Sequence, residues 1–84
     1  MTLRVLRRHI MGATTGDPGR CPIARAAEEQ FLWLPKFGSA GPGRPWLLHT
    51  WNATFRVVGG ALWARQFDAG KPVKPTTFRL ERIS

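Results

Sequence analysis

The sequence predicts a small α+β domain in which two short helices pack on an antiparallel or mixed β-sheet, in the element order β-α-β-β-α-β. Three observations lead to this prediction. The 84 residues suit a single compact domain over residues 1–84 and argue against a multidomain enzyme. The apolar content of 43% is typical of a folded chain. Segments with apolar residues at helical spacing alternate with segments that are apolar at every second position.

Residues 2–10 fit two interpretations. Leu3, Leu6 and Ile10 have the spacing of one helix face, whereas Leu3-Arg4-Val5 alternates in polarity like a strand. The strand is favoured as the first element because no N-cap residue precedes this segment. Residues 12–20 contain three glycines and one proline, so we expect a loop there.

The first helix is predicted over residues 22–32. Pro22 suits the first helical position, where its missing N–H costs no hydrogen bond. Pro35 ends the helical pattern, and residues 36–45 are rich in glycine and proline, which predicts a flexible surface loop. The side of the helix that should face the core consists of Ile23, Ala26, Ala27, Gln30 and Phe31.

A β-hairpin is predicted over residues 46–58, where β-branched, aromatic and apolar residues dominate. We expect its turn at Asn52-Ala53. One face then carries Trp46, Leu48, Thr50, Phe55 and Val57. The other face carries Leu47, His49, Trp51, Thr54, Arg56 and Val58.

A second helix and a last strand follow the hairpin. Residues 61–69 return to helical spacing, and Gly70 suits the left-handed position that closes a helix. Phe78 and Leu80 alternate with polar residues, which predicts a strand over residues 76–83. The core side of the second helix is expected to contain Leu62, Trp63, Gln66 and Phe67.

The chain is strongly basic. Thirteen Lys and Arg against five Asp and Glu give a formal net charge of +8. A field of this sign accelerates association with polyanions, which favours a nucleic acid or an acidic protein as partner. No apolar stretch is long enough to cross a membrane and no secretory signal is recognisable, so we expect a cytoplasmic protein without a membrane partner.

Catalytic and metal-binding chemistry have few candidate residues. Cys21 precedes a predicted helix, where a thiol pKa can be lowered, but a buried packing role is favoured because free cysteines are usually buried. Gly38 and Gly43 have the spacing of a phosphate loop, but a strand follows them instead of the helix that such a loop needs. We therefore predict no enzyme, no cofactor and no metal site. The His, Cys and Asp residues without metal-ligand spacing are His9, Asp17, Cys21, His49 and Asp68.

A basic and aromatic sheet face is predicted instead. Arginines of the first strand, the hairpin and the last strand converge if the two terminal strands pair. Aromatic rings among arginines on a sheet are typical of single-strand binders, because bases stack on the rings and phosphates meet the guanidinium groups. The predicted nucleic-acid-binding residues are Arg4, Arg7, Arg8, His49, Trp51, Arg56, Arg79 and Arg82.

Two segments resemble small uncharacterised proteins of actinobacterial bacteriophages and mobile elements. The first combines His9-Ile10 and Gly12 with Cys21-Pro22-Ile23-Ala24 and Ala26, and the second runs from Phe67-Asp68-Ala69-Gly70 through Pro72-Val73 and Pro75 to Phe78 and Leu80. The resemblance implies a small α+β fold and a phage-type accessory role, and because the group has no established activity it assigns no catalytic residues to this chain. In the second segment we interpret Asp68 as capping or bracing its own turn, with Gly70 at positive φ.

Two hypotheses for function follow. The first is a non-enzymatic protein that contacts nucleic acid through an Arg/Trp sheet face, for which a steep salt dependence of affinity is expected. The second is a phage-encoded protein that binds and modulates a host protein, with exposed Trp and Arg side chains as interface anchors.

Overall fold

A computed structural model describes residues 1–30, 34–39, 41 and 43–84. Within them, a five-stranded antiparallel sheet forms one layer and three helices form the other, which confirms the predicted α+β class. The sheet order is β1-β5-β4-β3-β2. The elements are β1 (Thr2–Val5), α1 (Arg7–Met11), α2 (Pro22–Gln30), β2 (Lys36–Ser39), β3 (Trp46–His49), β4 (Thr54–Val57), α3 (Gly60–Asp68) and β5 (Thr76–Arg82).

One face of the sheet, the inner face, is buried under the helices. α2 covers it with Ile23 and three alanines, all 0% exposed, as the helical spacing of this segment predicts. The predicted core residue Phe31 lies outside the described residues. The pairing of the two terminal strands, β1 with β5, is confirmed. The inner face consists of Leu3, Val5, Phe37, Leu48, Phe55, Val57, Phe78 and Leu80, none more than 4% exposed.

α3 packs on the sheet through only part of the side that the sequence predicts. Leu62 is 65% exposed, while Ala64 is buried and Trp63 places its ring edge-on to Phe78 at a centroid distance of 5.5 Å. A Cβ on Gly60 would lie 2.7 Å from Cγ1 of Val57, so only glycine permits this close approach. Gly60, Trp63 and Ala64 therefore face the sheet, so the prediction is confirmed for Trp63 and is wrong for Leu62 and the exposed Gln66.

The strand interpretation is confirmed for the first half of residues 2–10, and the helix interpretation is confirmed for the second half. β1 ends at Val5, and the five-residue helix α1 begins at Arg7. Nδ1 of His9 accepts the N–H of Leu6 at 2.9 Å, so the helix start is capped by a side chain from its own first turn. Arg7 and Arg8 consequently lie on α1 and not on the first strand.

Two connections differ from their predictions. Lys36–Ser39 forms strand β2, paired with β3, where the sequence predicts part of a loop. The hairpin turn spans residues 50–53, because Thr50 donates its N–H to the carbonyl oxygen of Ala53 at 2.8 Å and its hydroxyl bonds the same residue. Thr50 and Trp51 therefore lie in the turn, and the strand register shifts by two residues, which leaves the two faces of the hairpin unchanged.

The two edges of the sheet are partly paired with residues outside it. The side-chain amide of Gln30 bonds both the N–H and the carbonyl oxygen of Arg4 on β1. The carbonyl oxygen of Pro18 accepts the N–H of Phe37 on β2 at 3.0 Å. These contacts oppose the addition of a strand from another chain. No helix in the described part of the chain is long and apolar enough to cross a membrane.

Candidate functional site

The second face of the sheet, the outer face, points away from the helices and is open to solvent. The strand register aligns its residues in rows across the sheet. Lys36 pairs with His49, Arg56 pairs with Glu81, and Thr2 pairs with Arg79. The register also places Arg4 opposite Thr77, so four of the five strands carry a cation on this face.

The four cations form a line from one edge of the sheet to the other. Diagonal neighbours in an antiparallel pair lie about 7–8 Å apart. Arg79 lies two residues from Glu81, the partner of Arg56, and two residues from Thr77, the partner of Arg4. It is therefore the diagonal neighbour of both arginines. We call this line the cationic diagonal: Lys36 on β2, Arg56 on β4, Arg79 on β5 and Arg4 on β1.

Glu81 is the acid of the outer face. Its carboxylate lies 3.6 Å from Nη1 of Arg56 and 3.4 Å from Nη2 of Arg79. The two arginine side chains are 63% and 67% exposed, and such exposed pairs contribute at most about 1 kcal/mol. One carboxylate cannot neutralise both guanidinium groups, so the described outer face carries a charge of +3 (four cations, one acid).

An exposed ring lies at the Lys36 end of the cationic diagonal. Trp51 is 68% exposed in the hairpin turn. His49, two residues earlier and paired with Lys36, has its Nδ1 3.3 Å from the hydroxyl of Thr54. His49 thus offers a ring surface opposite Lys36, and Trp51 offers a second, exposed ring two residues further along the chain.

Three of the eight predicted binding residues lie away from this face. Arg7 and Arg8 are on α1, which packs on α2 in the helical layer. Arg82 shares the side of β5 that carries Leu80 and is exposed at the strand end. Sequence reasoning missed Lys36, although the polarity pattern of buried Pro35, exposed Lys36 and buried Phe37 indicates a strand.

Arg8 is instead part of a cluster that joins α1 to α2. It forms a bidentate pair with Glu29, whose other contact is Nε2 of His9 at 3.0 Å. The hydrogen bond from Arg8, followed by that from His9, lowers the pKa of Glu29 to about 2. Arg25 completes the cluster by donating to the carbonyl oxygens of Arg8 and His9 at 2.9 and 2.6 Å. We call Arg8, His9, Arg25 and Glu29 the helical cluster.

Cys21 and Asp68 have packing and bracing roles. Cys21 is 6% exposed, and burial raises its thiol pKa to about 11, which confirms the interpretation as a buried packing residue. Oδ1 of Asp68 accepts the N–H of Gly16 at 3.0 Å, so this carboxylate braces the loop before α2 and not its own turn. Gly70 has φ +76° at the end of α3, as predicted.

The outer face offers donor groups for anions together with exposed ring surface. Within the described residues, no group of three or more His, Cys, Asp or Glu is placed to hold a metal ion. The arrangement is therefore suited to binding a polyanion by hydrogen bonds and charge. Comparison of the chain with protein-family models, with curated proteins and with solved structures finds no match.

Proposed function

We propose that this protein binds single-stranded nucleic acid, without catalysing a reaction, through the outer face of its sheet. The observation that carries the proposal is the cationic diagonal, which places a cation on four of the five strands from one sheet edge to the other. Guanidinium groups donate two parallel hydrogen bonds to a phosphate. A strand laid along the diagonal would meet Arg4, Arg79, Arg56 and Lys36 in turn.

The shape of the face favours a single strand over a duplex. Five strands at about 4.8 Å spacing make the sheet about 19 Å wide, which exceeds the major-groove width of about 12 Å. Trp51, and with it His49, is placed to stack on unpaired bases beside the Lys36 end. The resemblance of two chain segments to small proteins of phages and mobile elements favours an accessory role in such an element.

Titration of a labelled single-stranded oligonucleotide tests this proposal. We expect fluorescence anisotropy to report binding whose affinity falls about 50-fold between about 50 and 200 mM salt, if four phosphates are neutralised. The variant Arg7→Gln is the matched control, because it removes one exposed charge that lies off the outer face. Affinity that does not change with salt, or equal loss in Arg7→Gln and Arg56→Gln, would contradict the proposal.

A second candidate is an acidic host protein bound by the same face. Val58 and Ile83 are 39% and 48% exposed and lie on the outer face beside the cations. Apolar side chains next to arginines are typical of protein interfaces. Co-purification of one stoichiometric protein after nuclease treatment, lost in Val58→Ser but kept in Leu62→Ser, would favour this candidate over nucleic acid.

A further inference from the structure

A groove lies on the opposite side of the molecule from the cationic diagonal. It has a volume of about 410 Å³ and is bounded by α3, by β2 and β3, and by the loop before α2. This volume falls within the range of about 300–1,000 Å³ that is typical of small-molecule sites. The proposed function leaves this groove unused.

The floor of the groove is aromatic. Phe37 is 2% exposed and supports the ring of Trp46, with 5.5 Å between ring centroids and 48° between ring planes. Trp46 is half-buried and lines the groove, together with Ala64 of α3. A ring held in this way is suited to stack on a flat ligand.

The rim of the groove carries charges of both signs. Arg44 and Arg65 are exposed and supply two guanidinium groups. Asp17 and Asp68 supply two carboxylates, whose Oδ1 atoms accept the N–H groups of Gly19 and Gly16, both at 3.0 Å. These backbone bonds orient the carboxylates, and the second oxygen of each can accept a hydrogen bond from a ligand.

We infer that the groove binds one unstacked nucleotide whose base carries an exocyclic amino group. The base stacks on Trp46, the phosphate accepts hydrogen bonds from Arg65 and Arg44, and the amino group donates to the carboxylate of Asp68. Uracil and thymine carry a carbonyl oxygen at C4, where cytosine carries its amino group, and a carboxylate held against C4 repels that oxygen. Cytosine is therefore bound in preference to uracil.

This inference rests on the proposed function, since a bound strand is the source of the nucleotide. Neighbouring strand residues point to opposite faces. On β2, Lys36 lies on the cationic diagonal and Phe37 lies in the groove. A single strand that passes around the β2 edge can therefore place phosphates on the outer face and one base in the groove.

Cytidine and uridine monophosphate are the matched probes, because their bases have the same size and shape and differ in the group at C4 and in the proton on the adjacent N3. The readout is the indole N–H resonance of Trp46, assigned with the variant Trp46→Phe. We expect cytidine monophosphate to shift this resonance saturably, and uridine monophosphate and the phosphate-free nucleoside cytidine each to bind about tenfold more weakly.

Two variants assign these preferences to side chains. Asp68→Asn keeps an oxygen for the N–H of Gly16 and should abolish the preference for cytidine over uridine monophosphate. The double variant Arg44→Gln, Arg65→Gln removes both guanidinium groups and should abolish the preference for cytidine monophosphate over cytidine. Arg7→Gln lies outside the groove and should change neither preference.

The outcomes separate the groove from the outer face. If cytidine monophosphate leaves the Trp46 resonance unmoved at millimolar concentration, or binds no better than uridine monophosphate, the groove inference is overturned, while salt-dependent oligonucleotide binding still supports the proposed function. If the mononucleotide binds but the oligonucleotide does not, the proposed function fails and the strand as source of the nucleotide fails with it.

Discussion

The arginines of the helical cluster and those of the cationic diagonal differ in what their guanidinium groups contact. Arg25 donates to two carbonyl oxygens of α1, and Arg8 forms a bidentate pair with Glu29. Arg56 and Arg79 share the single carboxylate of Glu81 at 3.4–3.6 Å and are more than 60% exposed. Arg8 is itself 64% exposed, so the two pairs differ in their contacts: the first pair links α1 to α2, and, among the described residues, the second pair contacts only a carboxylate of its own sheet face.

This difference has a physical origin in the length of α1. A five-residue helix is too short to be stable alone, and most of its carbonyl groups have no partner within the helix. Arg25 from α2 satisfies two of these groups, and His9 anchors the helix start. Removal of charge from the helical cluster should therefore lower the free energy of unfolding. Removal of charge from the cationic diagonal should lower the affinity for nucleic acid and leave the free energy of unfolding unchanged.

The largest effect is expected for His9→Ala. His9 is 2% exposed and bonds Leu6 and Glu29 through its two ring nitrogens. The variant loses both bonds and leaves a cavity, which should lower the free energy of unfolding by about 2–4 kcal/mol. Urea denaturation measures this loss. His49→Ala removes an exposed histidine and should change stability by less than about 0.5 kcal/mol, and equal losses in the two variants would contradict the comparison.

The double variant Arg56→Gln, Arg79→Gln tests the expectation that the cationic diagonal contributes to binding and not to stability. Loss of two phosphate contacts should lower oligonucleotide affinity about tenfold or more and reduce the slope of log affinity against log salt by about 1.4. Its free energy of unfolding should stay within about 0.5 kcal/mol of the parent. Anisotropy titrations at several salt concentrations and urea denaturation measure the two quantities. A stability loss as large as that of His9→Ala would show that these arginines also hold the fold.

Arg25→Ala should lower stability by about 1–2 kcal/mol, since two α1 carbonyl groups lose a charged donor. Gly12→Ala should act in the same direction, because a Cβ there would lie 2.6 Å from the Arg25 guanidinium nitrogens and displace them. Thermal unfolding measures both changes. Oligonucleotide affinity at a temperature where both variants are folded should equal that of the parent, and a loss of affinity would place Arg25 in the binding site.

The smallest effect is a pH dependence from Glu29. Its pKa is about 2 in the folded protein, against about 4.3 in an unfolded chain, so its contribution to stability is present above about pH 4.3 and is lost as pH falls toward 2. The stability difference between the parent and Glu29→Gln should therefore be largest near neutral pH and shrink on acidification. Urea denaturation across this pH range measures it, with Glu28→Gln as the matched control. A difference that is constant with pH would contradict the pairing with Arg8 and His9.

Much of the fold is predictable from local patterns. The alternation at Phe78 and Leu80 predicts β5, and Pro22 and Gly70 mark the start of α2 and the end of α3. β2 is not predictable in this way, because a segment with Gly38 and Ser39 becomes a strand only through its pairing with β3. α1 likewise depends on contacts from α2 that lie 16–21 residues away in sequence.

The types of residue at the candidate site, arginines and aromatic rings, are predictable from the sequence. The position of each such residue on the outer face is less predictable. Arg4, Arg56 and Arg79 are on the outer face and His49 and Trp51 are at its end, as the hairpin pattern indicates. Lys36 lies on the outer face only because residues 36–39 form β2. Arg7 and Arg8 do not lie on this face, because the chain turns into α1 after Val5. The groove at Trp46 has no local signal, since its walls come from three distant segments.

The excess of cations, the small α+β core and the side of most strands that faces it follow from local patterns in the chain, because charge and side-chain alternation are local properties. The tertiary structure alone decided which arginines bond to other elements of the helical layer and which lie on the outer face of the sheet. Strand register aligned Lys36, Arg56, Arg79 and Arg4 across the sheet, while helix packing brought Glu29 to Arg8. Both depend on contacts between residues far apart in the chain, which no local pattern encodes.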